Sequence, residues 1–179
     1  MIKLPNIFLI GPMGVGKSTI GRRLADELKR DFYDSDHEIE VRCGVDINWI
    51  FDLEGEEGFR QREQQIIADL VNLNDIVLAT GGGAAMTPAN RDILSAKGVV
   101  IYLYASIEQQ LARLSNDTKR PVLQRAADLP TAVRGLHEER DPQYRSIADW
   151  TFNTDGRSIK LVVDEIIDTV VYKHSSTQN

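Results

Sequence analysis

Features that mark several other protein classes are scarce or missing in this sequence of 179 residues. Its single cysteine, Cys43, excludes an internal disulfide and most cysteine-rich metal sites. No apolar run approaches the ~20 residues of a membrane span, and the run at residues 7–10 is too short for a signal peptide. Basic residues number 21 against 27 acidic ones, and the net charge of −6 argues against a protein that binds duplex nucleic acid. We therefore expect a cytoplasmic protein with neither a membrane nor a nucleic acid as partner.

The arrangement of apolar residues predicts one α/β domain over residues 1–179, with a disordered tail at residues 174–179. Short runs rich in β-branched residues predict buried strands at residues 7–10, 76–79 and 99–103, and more weakly at residues 32–33 and 150–152. Apolar residues with helical spacing lie between or after these strands, around residues 20–28, 66–71, 107–114 and 161–170. Strands that alternate with helices indicate βαβ units and a parallel sheet.

Two segments interrupt this alternation. Residues 34–60 contain additional helical material, and residues 116–127 are charged and broken by Pro121. Insertions of this kind in an α/β domain are typical of lids and substrate-binding flaps.

The motif that carries chemistry is G-x-x-x-x-G-K-S at residues 11–18. Glycines allow backbone N–H groups to approach phosphate oxygens, and the N-terminus of the following helix attracts the same anion. Lys17 supplies a positive charge for the β- and γ-phosphates, and the Ser18 hydroxyl can bind Mg²⁺. Because the motif stands between a predicted strand and a predicted helix, we interpret it as a P-loop.

A GTPase switch is one alternative among P-loop proteins. The letters D-x-x-G do occur at residues 52–55, but the residues before them predict a helix rather than a strand. The guanine-reading motif N-K-x-D is missing from the sequence. A kinase of a small molecule is therefore the favoured interpretation.

Over nearly its whole length the sequence resembles shikimate kinases. The matching segments are residues 11–19, 34–36, 51–60, 81–83 and 120–121, together with Glu63, Arg140 and Tyr144. The resemblance implies a three-layer α/β/α sandwich like that of nucleoside monophosphate kinases, with a five-stranded parallel sheet in the order 2-3-1-4-5. It also implies transfer of the ATP γ-phosphate to the 3-hydroxyl of shikimate, with Mg²⁺, in the pathway to chorismate and the aromatic amino acids. Residues 34–63 would be the substrate-binding segment and residues 116–127 the lid.

Asp34 and Asp36 close the second predicted strand, where α/β folds place ligands. Residues i and i+2 of a strand point the same way, so both carboxylates could face one pocket. The alternative is that Ser35 or Asp36 caps a helix beginning near His37. The resemblance implies that Asp36 contacts the substrate hydroxyl, and that Asp34 and Ser18 position Mg²⁺.

Two arginines have neighbours that allow a structural interpretation. Arg60 follows Glu56 by four residues and Arg140 lies between two acidic residues, so ordinary ion pairs on helix faces would explain both. The guanidinium fork also suits a carboxylate, and the resemblance implies that the two side chains clamp the acid group of shikimate. Glu63 would hold one arginine, and Phe51 and Phe59 would form an apolar wall for the ring, although lone aromatics are otherwise ordinary core residues.

The remaining site residues also follow from the resemblance. Residues 81–83 are three glycines after the third strand, either a flexible loop or a set of backbone donors for the substrate, with Gly81, Gly82 and Gly83 as candidates. Arg120 would move onto the ATP phosphates from the lid, although a solvated charge is the alternative. The nucleotide-binding set implied by the family is Gly14, Val15, Gly16, Lys17, Ser18, Thr19, Arg113, Arg120 and Arg157, and the catalytic set is Lys17, Asp36 and Arg120.

Other functions remain open from the sequence alone. Another small-metabolite kinase, acting on gluconate or a nucleoside monophosphate, has the same P-loop. A nucleotide-binding switch or scaffold would transfer no phosphate to a metabolite. We expect ATP and shikimate as partners and a monomer in solution.

Overall fold

A computed structural model of the chain describes residues 4–115 and 128–172. These residues form a five-stranded, fully parallel sheet in the order β2-β3-β1-β4-β5. The strands are β1 (Asn6–Ile10), β2 (Asp31–Asp34), β3 (Ile76–Ala79), β4 (Gly98–Tyr104) and β5 (Trp150–Asn153). All five strand predictions and the sheet order are confirmed.

Helices cover both faces of this sheet. They are α1 (Lys17–Leu28), α2 (Ser35–Cys43), α3 (Ile47–Leu70), α4 (Pro88–Lys97), α5 (Ile107–Leu114), α6 (Leu129–Ile147) and α7 (Ile159–Ile167), with a 3₁₀ turn at Ala84–Met86 and a π-helical turn at Asp168–Tyr172. The helices α4 and α6 were not predicted from the sequence. Among the described residues, no helix has the length and hydrophobicity required to cross a bilayer.

Alternation along β1 divides the core into two layers. Phe8 and Ile10 belong to a cluster that includes residues of α2, α3, α4 and α6, whereas Ile7 and Leu9 belong to a cluster with α1 and α7. All four side chains are fully buried. A strand covered on both faces needs continuous apolar character, which is why short runs such as residues 7–10 are almost entirely aliphatic or aromatic.

The register of the sheet determines where the site lies. Leu9 pairs with Ala79 on one side and with Ile101 on the other, and Ala79 also pairs with Asp34. The strands β1, β2 and β3 therefore end at the same edge of the sheet. Since ligands of open α/β sheets bind at the carboxyl ends of the strands, the segments that follow these three strands are brought together there.

The start of α2 differs from the prediction. The helix begins at Ser35, two residues earlier than expected, and its cap is Asp34, whose carboxylate accepts from the N–H groups of Asp36 (3.0 Å) and His37 (3.2 Å). The expectation that Ser35 or Asp36 would cap the helix was wrong. The strand argument for Asp34 and Asp36 was also wrong, because the strand ends at Asp34 and Asp36 lies in the first helical turn.

The next helix, α3, is two helical segments joined at a kink. Gly55 has φ 69° and ψ −175°, a conformation that glycine adopts without steric penalty. The extra helical material expected in residues 34–60 is confirmed as α2 and the first part of α3. The predicted lid at residues 116–127 and the predicted tail at residues 174–179 lie outside the described residues.

Candidate active site

The backbone of the P-loop adopts conformations that glycine allows and other residues rarely adopt. Gly11, Gly14 and Gly16 all have positive φ, at 144°, 76° and 96°. A methyl group on Gly11 would also overlap the carbonyl oxygen of Leu103. Gly16 is the N-cap of α1, and no described side chain caps that helix, so its first N–H groups remain available to an anion.

Lys17 begins α1 and folds back over the loop. Its side chain is largely buried, with 9% of the residue exposed, and Nζ donates to the carbonyl oxygens of Gly11 and Pro12, each at 2.7 Å. These bonds hold the ammonium against the backbone of the P-loop. A phosphate bound by the loop would meet this positive charge.

A cleft of about 380 Å³ extends from the P-loop to the end of β3. Predicted residues that line it are Gly14, Gly16, Lys17, Ser18, Thr19, Asp34, Asp36, Gly81 and Gly82. Glu40 and Ile47, which lie in the predicted substrate-binding segment, and Thr80 also line it, although none of them was named as a site residue. One open space thus joins the predicted phosphate-binding residues to several predicted substrate residues.

Asp34 connects this cleft to the start of α2. One carboxylate oxygen caps the helix, and the other accepts a hydrogen bond from the Ser18 hydroxyl. A hydroxyl and a carboxylate facing a phosphate site are the oxygen ligands that Mg²⁺ prefers. The described residues contain no cluster of three or more His, Cys, Asp or Glu side chains suited to a metal. The Ser18 and Asp34 oxygens fit a Mg²⁺ ion, which usually keeps several water ligands.

The glycine loop after β3 lies in close contact with charged side chains. A methyl group on Gly81 would lie 2.6 Å from Asp36 Oδ1 and 2.9 Å from Glu63 Oε2. One on Gly83 would overlap the guanidinium of Arg60. The absence of side chains on these residues thus lets charged groups approach the backbone of the loop closely.

The predicted arginine pair meets around this loop. Arg60 Nη1 donates to Glu63 Oε1 at 2.8 Å, and a weaker contact of 3.3 Å joins Arg60 to Glu56. Arg140 is only 6% exposed, and a methyl group on Gly82 would lie 3.4 Å from its Nη1. The interpretation of Arg140 as a solvated ion pair on a helix face is wrong, because the packing of α6 buries it.

Burial and charge determine the protonation of this cluster. Burial raises the pKa of Glu63 to about 7, with Arg60 lowering it and Asp36 raising it further. Burial disfavours the charged guanidinium of Arg60, but Glu63 and Glu56 together outweigh this effect and raise the Arg60 pKa. Two cations and two carboxylates thus share a small volume at the loop, with the cations placed to bind a further anion.

Phe51 and Phe59 stack on each other beneath the site. Their ring centroids are 4.8 Å apart, and both are buried, at 7% and 4% exposure. The Arg60 guanidinium lies over the Phe59 ring, 5.2 Å from its centroid. Neither phenylalanine is among the described residues that line the cleft, whereas Ile47 is. The pair supports Arg60 from below, and its contact with a substrate ring stays a prediction.

A second cavity of about 250 Å³ opens on the other side of the P-loop. Val15, Thr19, Arg113 and Arg157 all line it. Arg113 Nη1 donates to the carbonyl oxygens of Gly14 (3.1 Å) and Val15 (3.0 Å). The predicted nucleotide-binding arginines of the described chain therefore lie together beside the loop, whereas Arg120 lies outside the described residues.

Sequence reasoning assigned no role to the residues that hold the glycine loop. Ser35 Oγ accepts from the N–H of Gly81 at 3.0 Å, and the Tyr144 hydroxyl donates to the carbonyl oxygen of Gly82. Thr80, at the end of β3, bonds the Leu9 carbonyl at 3.0 Å. Their position beside recognised motifs was the only available signal, because each contact depends on the tertiary fold.

The fold and the cleft together define a P-loop kinase that acts on a small molecule. The shikimate kinase family model matches residues 13–171. The chain is 58% identical over 167 residues to a shikimate kinase of Francisella tularensis subsp. novicida, covering 93% of this chain and 94% of that protein. It is 56% identical to a shikimate kinase of Legionella pneumophila, again over 93% of this chain and covering 95% of that protein. The shikimate kinase of Acinetobacter baumannii, solved in complex with shikimate, superposes with a TM-score of 0.92 at 44% identity, covering 95% of this chain and 94% of that one. The chain therefore belongs to the shikimate kinase family.

Proposed function

We propose that this protein transfers the γ-phosphate of ATP to the 3-hydroxyl of shikimate, giving shikimate 3-phosphate and ADP. The observation that carries the proposal is the single cleft that connects Lys17 and the P-loop to Asp36 and the glycine loop. Family membership supports the same reaction. A phosphate donor and a hydroxyl acceptor bound at the two ends of this cleft would meet between them.

The nucleotide would bind along both sides of the P-loop. Backbone N–H groups of residues 14–19 would hold the β- and γ-phosphates, and Lys17 would balance their charge. Arg113 and Arg157 would contact the adenine side, because both line the cavity beside Val15 and Thr19. Arg120 is proposed to stabilise the transferred phosphoryl group from the lid.

The acid would bind at the glycine loop. Arg60 and Arg140 would clamp the shikimate carboxylate, since planar guanidinium groups form paired hydrogen bonds with carboxylates. The backbone of Gly81, Gly82 and Gly83 would face the ring and its hydroxyls, with Phe59 beneath Arg60 and Phe51 packed on Phe59. A buried binding site for an anion explains why two arginines face one loop.

Asp36 would orient the attacking hydroxyl and accept its proton late in the reaction, when little base strength is needed. Ser18 and Asp34 would hold Mg²⁺ together with the phosphates and water. When bound, Mg²⁺ neutralises negative charge on the β- and γ-phosphates. We further propose that the protein is a cytoplasmic monomer, which sedimentation and cell fractionation would test.

ADP release by the purified protein tests the reaction. Assays would compare shikimate, gluconate, AMP and CMP as acceptors at saturating ATP with Mg²⁺ or with EDTA. We expect turnover that depends on shikimate and is lost with EDTA. Equal ADP release without shikimate, or faster turnover with another acceptor, would exclude the proposed reaction.

A further inference from the structure

The glycine loop has almost no means of fixing its own conformation. Its three residues lack side chains, and glycine rotates between backbone conformations at little cost. The orientation of each peptide group is therefore set by its hydrogen bonds.

Most of the loop is held by local or neighbouring groups. The N–H of Gly81 donates to Ser35 Oγ, and the carbonyl of Gly81 accepts from the Ala84 N–H at 3.1 Å. The carbonyl of Gly83 accepts from the Met86 N–H at 3.0 Å. The following 3₁₀ turn is fastened at its carbonyls by Asn90 and Arg91.

The Gly82–Gly83 peptide is the exception, because its carbonyl is held only by Tyr144 among the described residues. A trans peptide directs its C=O and the next N–H in opposite directions. By holding the Gly82 carbonyl, Tyr144 therefore determines which way the Gly83 N–H faces. Within the described chain, the N–H groups of Gly82 and Gly83 find no acceptor, so both remain as donors for a ligand.

Tyr144 also links the loop to Arg140. The two residues are one turn apart on α6 and so project from the same face of the helix. Tyr144 is 2% exposed and its ring stacks on Tyr102 with centroids 5.0 Å apart. Burial raises the pKa of Tyr144 to about 12, against a smaller opposing effect of Arg140. Its hydroxyl is thus a neutral, rigidly placed donor near physiological pH.

We propose that Tyr144 is a positioning residue for the acid substrate: its hydroxyl fixes the Gly82–Gly83 peptide relative to the Arg140 guanidinium. This inference rests on the proposed function. The backbone donors of the loop and the cation of α6 then approach the substrate as one preformed surface. Without the hydroxyl, the peptide must be ordered each time substrate binds, which weakens binding.

The test is Tyr144→Phe, with Tyr102→Phe as the matched control. Tyr102 is equally buried and stacked, but its hydroxyl bonds Asp141 at 2.6 Å rather than the loop. We expect Tyr144→Phe to raise the KM for shikimate roughly threefold to tenfold, the value of one neutral buried hydrogen bond. The KM for ATP should stay within twofold, and Tyr102→Phe should leave both KM values within twofold.

An unchanged KM for shikimate in Tyr144→Phe would overturn the inference, as would an equal rise in Tyr102→Phe or an equal rise in the KM for ATP. A wild-type protein that releases no ADP with shikimate would instead defeat the proposed function. If Tyr144→Phe fails to fold, Ser35→Ala tests the anchored loop from its opposite side. A raised KM for shikimate in Ser35→Ala supports the preformed loop, and an unchanged KM refutes it.

Discussion

Removal of the Arg140 guanidinium gives a direct test of the proposed acid clamp. Arg140 is almost fully buried on α6, and its Nη1 lies against Gly82. A hydrogen bond to a charged group contributes about 1.5–3 kcal/mol, so losing one or two such bonds to the carboxylate weakens binding roughly 10- to 100-fold or more. Arg140→Ala should therefore raise the KM for shikimate about 100-fold and leave the KM for ATP within twofold.

Steady-state assays of ADP release, varying one substrate at saturating levels of the other, separate these two constants. Arg134→Ala is the matched control, because Arg134 is an exposed arginine on the same helix. Arg140→Lys should recover only part of the affinity, since an ammonium lacks the planar fork. Loss of ATP affinity in Arg140→Ala, or a KM for shikimate within twofold of the wild-type value, would refute the clamp.

Three further changes test other parts of the site. Lys17→Met should lower kcat by about 100-fold or more, with an unchanged circular dichroism spectrum, because the ammonium that stabilises negative charge on the transferred phosphate is lost. A kcat equal to that of the wild type would contradict this role. Gly83→Ala should displace the Arg60 guanidinium and raise the KM for shikimate about tenfold, whereas Gly135→Ala, whose methyl group would meet nothing within 4 Å, should leave it unchanged. Because burial raises the pKa of Glu63 to about 7 in the folded protein, from an ordinary value of 4.5, the folded state holds that proton more tightly. Stability should therefore fall as pH rises from about 4.5 to 7, by up to about 3 kcal/mol, and Glu63→Gln should flatten this part of a plot of Tm against pH; an identical slope in both proteins would count against it.

The parallel sheet could be predicted because strands that are buried on both faces consist of short, continuous apolar runs. Residues 7–10, 76–79 and 99–103 are short, apolar and mostly β-branched, and such runs have few other uses in a protein of this size. The P-loop was equally clear, since a glycine pattern between a strand and a helix has one strong physical purpose. The local sequence pattern was sufficient to predict those features that depend on a single strand, or on one strand, loop and helix in succession.

Helix α6 shows where local pattern fails. It contains Gly135 and Pro142, residues that weaken or interrupt a helix, so its periodicity did not indicate 19 continuous residues. Tertiary packing nevertheless buries one face of it. That packing converts Arg140 from an apparent surface charge into a buried cation, a result that no spacing along the chain contains.

The start of α2 illustrates a smaller failure. Asp34, Ser35 and Asp36 were all reasonable capping or binding residues, and the choice among them depends on where β2 stops pairing with β3. The register ends at Asp34, so this residue becomes the cap and Asp36 enters the helix. Asp34 and Asp36 both line the cleft, but they do so because one ends β2 and the other lies in the first turn of α2, rather than because both project from one face of a strand.

The divided carboxylate of Asp34 has a consequence for how this position tolerates change. One oxygen satisfies backbone donors of α2 and the other receives the Ser18 hydroxyl. Asparagine is as good a helix cap as aspartate, so a variant carrying it at position 34 would retain the fold while removing the negative charge beside Ser18. Architecture and chemistry, although served by one side chain, can therefore be separated by exchanging a single oxygen for nitrogen.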